Sequence, residues 1–267
     1  VPIAKAGEIE LGYERAGSGP PLLLIMGMSG TLKHWGEPLL DLLREDFDTI
    51  VYDHRGVGGS SRVERSFTIE ALAGDAAGLL DALEIDTAHV MGISMGGMVA
   101  QELALAHPRR LRSLVLGCTY CGGGGSSLTS EEVMRKLSQA NLSGDRRRAV
   151  RAAWEANVSR AYADDQDAYA VFEEIGMERG VSLAVIMEQM RAIVEHDTSR
   201  RLPQLSVPTL VVHGTEDEML PVANGRMIAE LIPGARLEIM EGVGHLFFWE
   251  EPERSAELVR EHAAVCA

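Results

Sequence analysis

Gly92-Ile93-Ser94-Met95-Gly96 follows an apolar run, Ala88-His89-Val90-Met91, and precedes an amphipathic one, Gly97 to Ala106. A short β-type run that turns at once into a helical pattern, with a serine between glycines at the turn, is a strand–elbow–helix unit. The glycines have a steric role. A turn this tight forces strained backbone at Ser94, so the residues two to either side must lack bulk. The Ser94 hydroxyl then stands clear of the sheet edge, at a helix N-terminus. Free N–H groups and the helix dipole there favour developing negative charge. The same five residues are compatible with a plain Gly-Ser turn. The rest of the chain must therefore supply a base, an acid and a second oxyanion donor.

Outward from the elbow, strand and helix patterns alternate. Residues 8–16 alternate apolar and polar, as an antiparallel edge strand does. Leu22–Met26, Thr49–Tyr52, Ser113–Gly117 and Val207–His213 are continuous apolar runs, the mark of strands buried on both faces of a parallel sheet. Arg236–Met240 is the last strand. Helical patterns cover Trp35–Leu43, Phe67–Leu83, Val222–Leu231 and a final helix opened by Glu251-Pro252-Glu253, with Pro in its first turn and acids facing the dipole. The rhythm predicts an α/β fold: a mostly parallel sheet with helices on both faces.

The rhythm breaks after Cys118. From about 129 to 199 only helical patterns occur: Glu131–Leu142, Arg146–Val158, Asp167–Met177 and Leu183–Val194. This predicts a core of 1–118 and 200–267, interrupted by a helical cap over 119–199. Trp154, Tyr162, Tyr169, Phe172, Met177, Met187 and Met190, with Leu220 from the core, are the expected pocket lining. Helix–helix packing inside the cap is the competing role for each cap residue.

The 267 residues are 46% hydrophobic, enough for a large core, and carry a formal charge of −15. That charge argues against nucleic acid, which needs a basic footprint, and against anionic membranes. Arg146-Arg147-Arg148 with Arg151 reads as a solvated helix face. Three cysteines, Cys118, Cys121 and Cys266, give no disulfide framework and point to a reducing, cytoplasmic compartment. Cys118 and Cys121 have CxxC spacing, but no second pair or nearby His pair completes a metal site. The N-terminal residues carry glutamates and no apolar core region, so no signal peptide is expected. No apolar run nears the ~20 residues of a membrane span.

A serine hydroxyl needs a base, and the base needs an orienting acid. Among eight histidines, His89 and His213 belong to strands, His107 and His262 to helix ends and His196 to the cap. His34 and His54 are loop candidates. His245 follows the last strand in a Gly-flanked turn that can carry it over the sheet edge. Glu216, Asp217 and Glu218 follow a buried strand and so share that edge. Asp217 is the expected acid and its neighbours surface residues. The chain order Ser94, Asp217, His245 is that of α/β-hydrolase triads.

Five ordered stretches strengthen the parallel: Met26-Gly27-Met28, Asp53 to Ser60, Gly92 to Gly97, His213 to Asp217, and Gly242-Val243-Gly244-His245. On these the chain resembles the α/β-hydrolase superfamily over essentially its whole length. The Ser-Met-Gly-Gly elbow and compact cap are similar to the branch of non-haem haloperoxidases, enol-lactonases, carbon–carbon bond hydrolases and small carboxylesterases. The resemblance implies Ser94 as nucleophile, His245 as base and then acid, and Asp217 as its orienter. It puts the backbone N–H groups of Met28 and Met95 in the oxyanion hole, and it makes Asp53 and Arg55 a structural turn. No metal or organic cofactor is implied. Two positions depart from the pattern. Met26 stands where the oxyanion loop usually begins with His, removing an anchor of that loop. Ile93 precedes Ser94, where carbon–carbon bond hydrolases carry a polar residue.

The leading expectation is a serine hydrolase of small, mainly apolar acyl esters, with a homodimer left open. A lactonase of the 3-oxoadipate enol-lactone type and a carbon–carbon bond hydrolase are alternatives, and peracid-mediated halide oxidation is a possible side activity. A receptor that uses the pocket without turnover is the reading from a different class.

Overall fold

The strand runs assemble into one eight-stranded sheet in a computed structural model that describes residues 1–63, 65–178 and 181–266. In chain order the strands are β1 Ile3–Ala6, β2 Ile9–Gly17, β3 Pro21–Ile25, β4 Asp48–Tyr52, β5 Ala88–Ile93, β6 Leu111–Gly117, β7 Thr209–Gly214 and β8 Arg236–Met240. The helices are α1 Glu37–Arg44, α2 Ile69–Ala82, α3 Met95–Ala106, α4 Glu131–Leu142, α5 Arg146–Asn157, α6 Gln166–Met177, α7 Leu183–Glu195, α8 Ala223–Leu231, α9 Phe247–Glu250 and α10 Pro252–Ala264. The sheet order is β1-β2-β4-β3-β5-β6-β7-β8. Pairings from β4 to β8 are parallel, and β1 and β2 join antiparallel. The antiparallel strand read at 8–16 is therefore second from the edge. The edge itself is β1, too short to show a pattern in sequence.

Alternation along each central strand separates two cores. Leu23 and Ile25 of β3, Val90 of β5, Leu114 and Leu116 of β6 and Val211 of β7 face one side, against α2, α3 and α8. Leu22 and Leu24, Met91 and Ile93, Val115, and Leu210 and Val212 face the other, against α1 and α10. Strands buried on both faces are why these runs read as continuous hydrophobics.

Between the adjacent strands β6 and β7 stand α4 to α7 and no strand among the described residues. Each of these helices opens on a side-chain cap. Ser130, Asp145, Asp165 and Ser182 accept from N–H groups that the first turn leaves unpaired. Trp154 of α5 and Phe172 of α6 join the α1/α10 core, whereas Ala192 of α7 joins the α2/α3 core. The helical insertion thus touches both sides of the sheet. Among the described residues no helix is long and apolar enough to cross a membrane.

Candidate active site

Ser94 lies between β5 and α3 with φ 53° and ψ −124°, a conformation that costs a non-glycine residue about 1–3 kcal/mol. The glycines impose it. A Cβ on Gly96 would come 2.0 Å from the Ile25 carbonyl oxygen, and one on Gly92 would come 2.2 Å from that of Gly96. Ser94 N–H donates to Gly117 O at 2.9 Å, and Thr119 Oγ1 donates to Ser94 O at 2.6 Å. Every residue from Met91 to Ala100 is buried except Ser94, so the elbow exposes the one side chain with nucleophilic potential.

The loop after β3 crosses directly over this serine. A Cβ on Gly27 would sit 3.1 Å from Ser94 Cβ and 3.6 Å from its Oγ. Among the described residues neither Met28 N–H nor Met95 N–H meets an acceptor. Met95 opens α3, where the first N–H groups have no partner within the helix. Both unpaired donors are next in sequence to residues at the elbow: Met95 follows Ser94, and Met28 follows Gly27.

The loop is anchored by His54, which the sequence offers only as a loop histidine. His54 Nε2 lies 2.8 Å from Met26 O. A carbonyl only accepts, so Nε2 carries the proton. The anchor missing at Met26 is replaced from the neighbouring strand end. Asp53 fixes the same region, accepting from Leu32 N at 2.8 Å and Gly59 N at 2.9 Å. Arg55 instead forms a two-pronged pair with Asp75 at 2.6 and 2.5 Å. Both serve the turn, in line with its structural reading.

Asp217 and His245 meet beyond the ends of β7 and β8. His245 Nδ1 lies 2.8 Å from Asp217 Oδ2, with both side chains buried. The other oxygen, Oδ1, accepts from Met219 N and Leu220 N at 2.8 Å each. A further partner was not foreseen: His213 Nε2 stands 3.1 Å from Asp217 Oδ2 and 2.7 Å from Leu220 O. Burial opposes ionisation of Asp217, but the charge and hydrogen bonds of His245 and His213 outweigh it and hold the carboxyl well below the usual range. An ionised acceptor fixes the proton of His245 on Nδ1 and leaves Nε2 as the basic nitrogen. Glu216 and Glu218 are exposed.

Cys118 lies beside the acid and the base. Its ligand atom and those of Asp217 and His245 all lie within 4.8 Å of one another. Burial, then the Asp217 charge, raises the Cys118 thiol far above its normal range, and burial lifts Cys121 to about 11. Both cysteines are free. Protonated, enclosed thiols make poor redox centres.

The His245 loop is locked to the insertion. Glu250 Oε1 accepts from Gly244 N and Ser159 N at 2.9 Å each, and Leu246 N donates to Asn157 O at 2.7 Å. Glu250 also escaped sequence reading, because its partners come from separate segments.

The expected pocket residues divide. Trp154 is fully buried and packs on Tyr162, Tyr169, Phe172 and Trp249, with Nε1 donating to Ala163 O at 3.1 Å. Phe172 is buried in the same cluster, which is helix packing of the competing kind. Tyr169 is half-buried, with its hydroxyl on Glu173 at 2.9 Å and Arg151 over its ring. Met190 is half-buried and Leu220 buried in the core. Met187 is 57% exposed. It lies on the opposite side of α7 from the buried stripe, a position that does not suit the enclosed lining expected of it.

Four histidines, His34, His54, His89 and His196, are held neutral, each lowered to about 4 chiefly by burial. In the unfolded chain they titrate near about 6.5. Below that pH the unfolded state binds protons that the folded state refuses, so the stability they contribute is full above about 6.5 and is lost as pH falls towards 4. The urea midpoint is expected to drop steeply over this window. A midpoint that stays flat from pH 7 to 4 would contradict the burial of these rings.

A mostly parallel doubly wound sheet, with a strained serine elbow and a His–carboxylate pair at the strand C-termini, defines the α/β-hydrolase class. A sequence profile of the alpha/beta hydrolase family matches residues 22–258, and the chain belongs to that family. RutD of Azorhizobium caulinodans, named as a carbamate hydrolase, is 30% identical and covers 97% of each chain. The enol-lactonase of Burkholderia xenovorans LB400 superposes with TM-score 0.85 at 26% identity, over 98% of this chain and 100% of that one. The esterase RhEst1 of Rhodococcus sp. ECU1013 does so with TM-score 0.84 at 27% identity, over 100% and 99%.

Proposed function

We propose that the protein is a serine hydrolase of small, mainly apolar carboxylic esters. The observation that carries this reading is the 2.8 Å contact of His245 Nδ1 with Asp217, whose carboxylate also accepts from Met219 N and Leu220 N and lies 3.1 Å from His213 Nε2, at the sheet edge where the strained elbow presents Ser94. Ser94 Oγ attacks the ester carbonyl while His245 Nε2 takes its proton. The Met28 and Met95 N–H groups receive the oxyanion. His245 then protonates the leaving alkoxide, and an acyl group remains on Ser94. Water, activated by the same histidine, releases the acid. Asp217 orients His245 and stabilises its charged form. The α4–α7 insertion acts as the cap over this edge.

A lactone is a second substrate reading, since an enol-lactonase shares this fold as fully as the esterase does. A ring ester uses the same steps, and its alkoxide stays tethered. RutD's name adds carbamates, whose carbonyl is attacked in the same way. Rates on p-nitrophenyl esters of two to eight acyl carbons, set against lactone and carbamate panels, test the assignment. Fastest turnover on short linear esters is expected. Inertness of wild type on all three panels, matching Ser94→Ala, would remove the hydrolase assignment.

A further inference from the structure

Helix α7 has one buried stripe, Val185, Gln189 and Ala192, and the middle residue is polar with none of its surface exposed. Val185 abuts Gly56, where an added Cβ would come 2.7 Å from Val185 Cγ2, and Ala192 shares an apolar cluster with Met95. A glutamine in such a stripe costs stability unless both ends of its amide are paired. One end is. Gln189 Oε1 accepts from Ser29 N at 3.0 Å. A backbone N–H only donates, so this bond decides which way the amide lies. The oxygen is turned to Ser29 of the oxyanion loop, and the NH2 group is the end left over. Nε2 is enclosed and has no acceptor among the described residues.

Within an amide the nitrogen lies about 2.3 Å from the oxygen, which puts Nε2 within about 5 Å of Ser29 N. Ser29 is next in sequence to Met28, so Nε2 is within about 9 Å of the Met28 donor. That distance is spanned by one small acyl or alcohol group.

We propose that Gln189 Nε2 is a specificity-determining donor. It binds a neutral oxygen acceptor, a carbonyl or an ether, carried a few atoms from the scissile carbonyl. A neutral donor among apolar side chains is well matched to a neutral acceptor, whereas an anion there would be left under-compensated. The assignment rests on the hydrolase reading above, because it takes the scissile carbonyl to lie at Met28 and Met95. The same side chain holds Ser29 in its left-handed conformation, φ 62°, so recognition and loop position share one residue.

The test uses two unreactive ligands that differ by oxygen for CH2, methoxyacetanilide and butyranilide. Their affinities are measured by calorimetry on Ser94→Ala protein with and without Gln189→Leu, and again with Gln189→Met. Loss of the Ser29 anchor affects both ligands alike and cancels in their ratio. Preference for the methoxy ligand is expected to fall about tenfold in each Gln189 variant, the value of one buried hydrogen bond. An unchanged ratio in either folded variant would overturn the proposal, and so would failure of both anilides to bind Ser94→Ala protein. Wild type inert on every ester, together with a ratio that still depends on Gln189, would fail the hydrolase reading while supporting the donor.

Discussion

Asp217→Asn is expected to lower kcat about 10⁴-fold with the fold intact. The argument is one of donors and acceptors. Oδ1 accepts from Met219 N and Leu220 N, and the asparagine carbonyl must stay there, since its NH2 cannot serve two N–H groups. The NH2 then faces His245 Nδ1 and His213 Nε2, at the 2.8 and 3.1 Å separations now bridged by Oδ2. A donor opposed to His245 Nδ1–H forces the imidazole into its other tautomer. The proton moves to Nε2, where the ring can no longer accept one from Ser94. The charge that stabilises the imidazolium is lost as well. KM should change little, because no substrate contact is altered. Circular dichroism and a thermal midpoint check the fold. A folded variant with less than tenfold loss would show that Asp217 does not orient the base.

Ser94→Gly is expected to abolish turnover and to be more stable than Ser94→Ala. Both effects follow from one residue. Removal of the hydroxyl should cost about 10⁶ in kcat, as expected for a nucleophile acting as one unit with its base. Ser94→Ala should show the same kinetic loss. The two variants should part in stability. Alanine keeps the Cβ in the strained conformation at φ 53° and ψ −124°, whereas glycine adopts it without steric cost. Ser94→Gly is therefore expected to be about 1 kcal/mol more stable than Ser94→Ala in urea unfolding, after the extra flexibility of glycine in the unfolded chain is offset. Equal or lower stability for the glycine variant would mean that the elbow is not strained. The strained turn leaves Ser94 as the one residue from Met91 to Ala100 that is not buried.

The parts of this design that sit close together in sequence were legible there. The elbow, the helices α4 to α7 and the buried strands each carry a local period or a cap, and their boundaries fall within a residue or two of the reading. Strand order was not legible, because the crossovers that put β3 between β4 and β5 leave no local trace. The same reason hid the supporting residues. His54 reaches Met26, Gln189 reaches Ser29, and Glu250 ties Ser159 to Gly244, all contacts between segments far apart in sequence or on different elements that only the fold brings together. His213 was read as a strand residue, which it is, yet the end of β7 turns its ring onto Asp217. The cap aromatics carry two roles in sequence, pocket lining or helix packing. Trp154 and Phe172 have the composition of a pocket lining, but their burial among Tyr162, Tyr169 and Trp249 is first a matter of packing the insertion.

The central claim is that Ser94 is a nucleophile activated by His245. A fluorophosphonate reacts at phosphorus with such a serine, losing fluoride and leaving a stable adduct in place of the acyl-enzyme. Intact-mass spectrometry followed by peptide mapping should find one adduct per wild-type chain, located on Ser94, and none at equal exposure in His245→Ala. A folded wild-type protein that stays unlabelled, or that carries its adduct on another residue, would contradict the account.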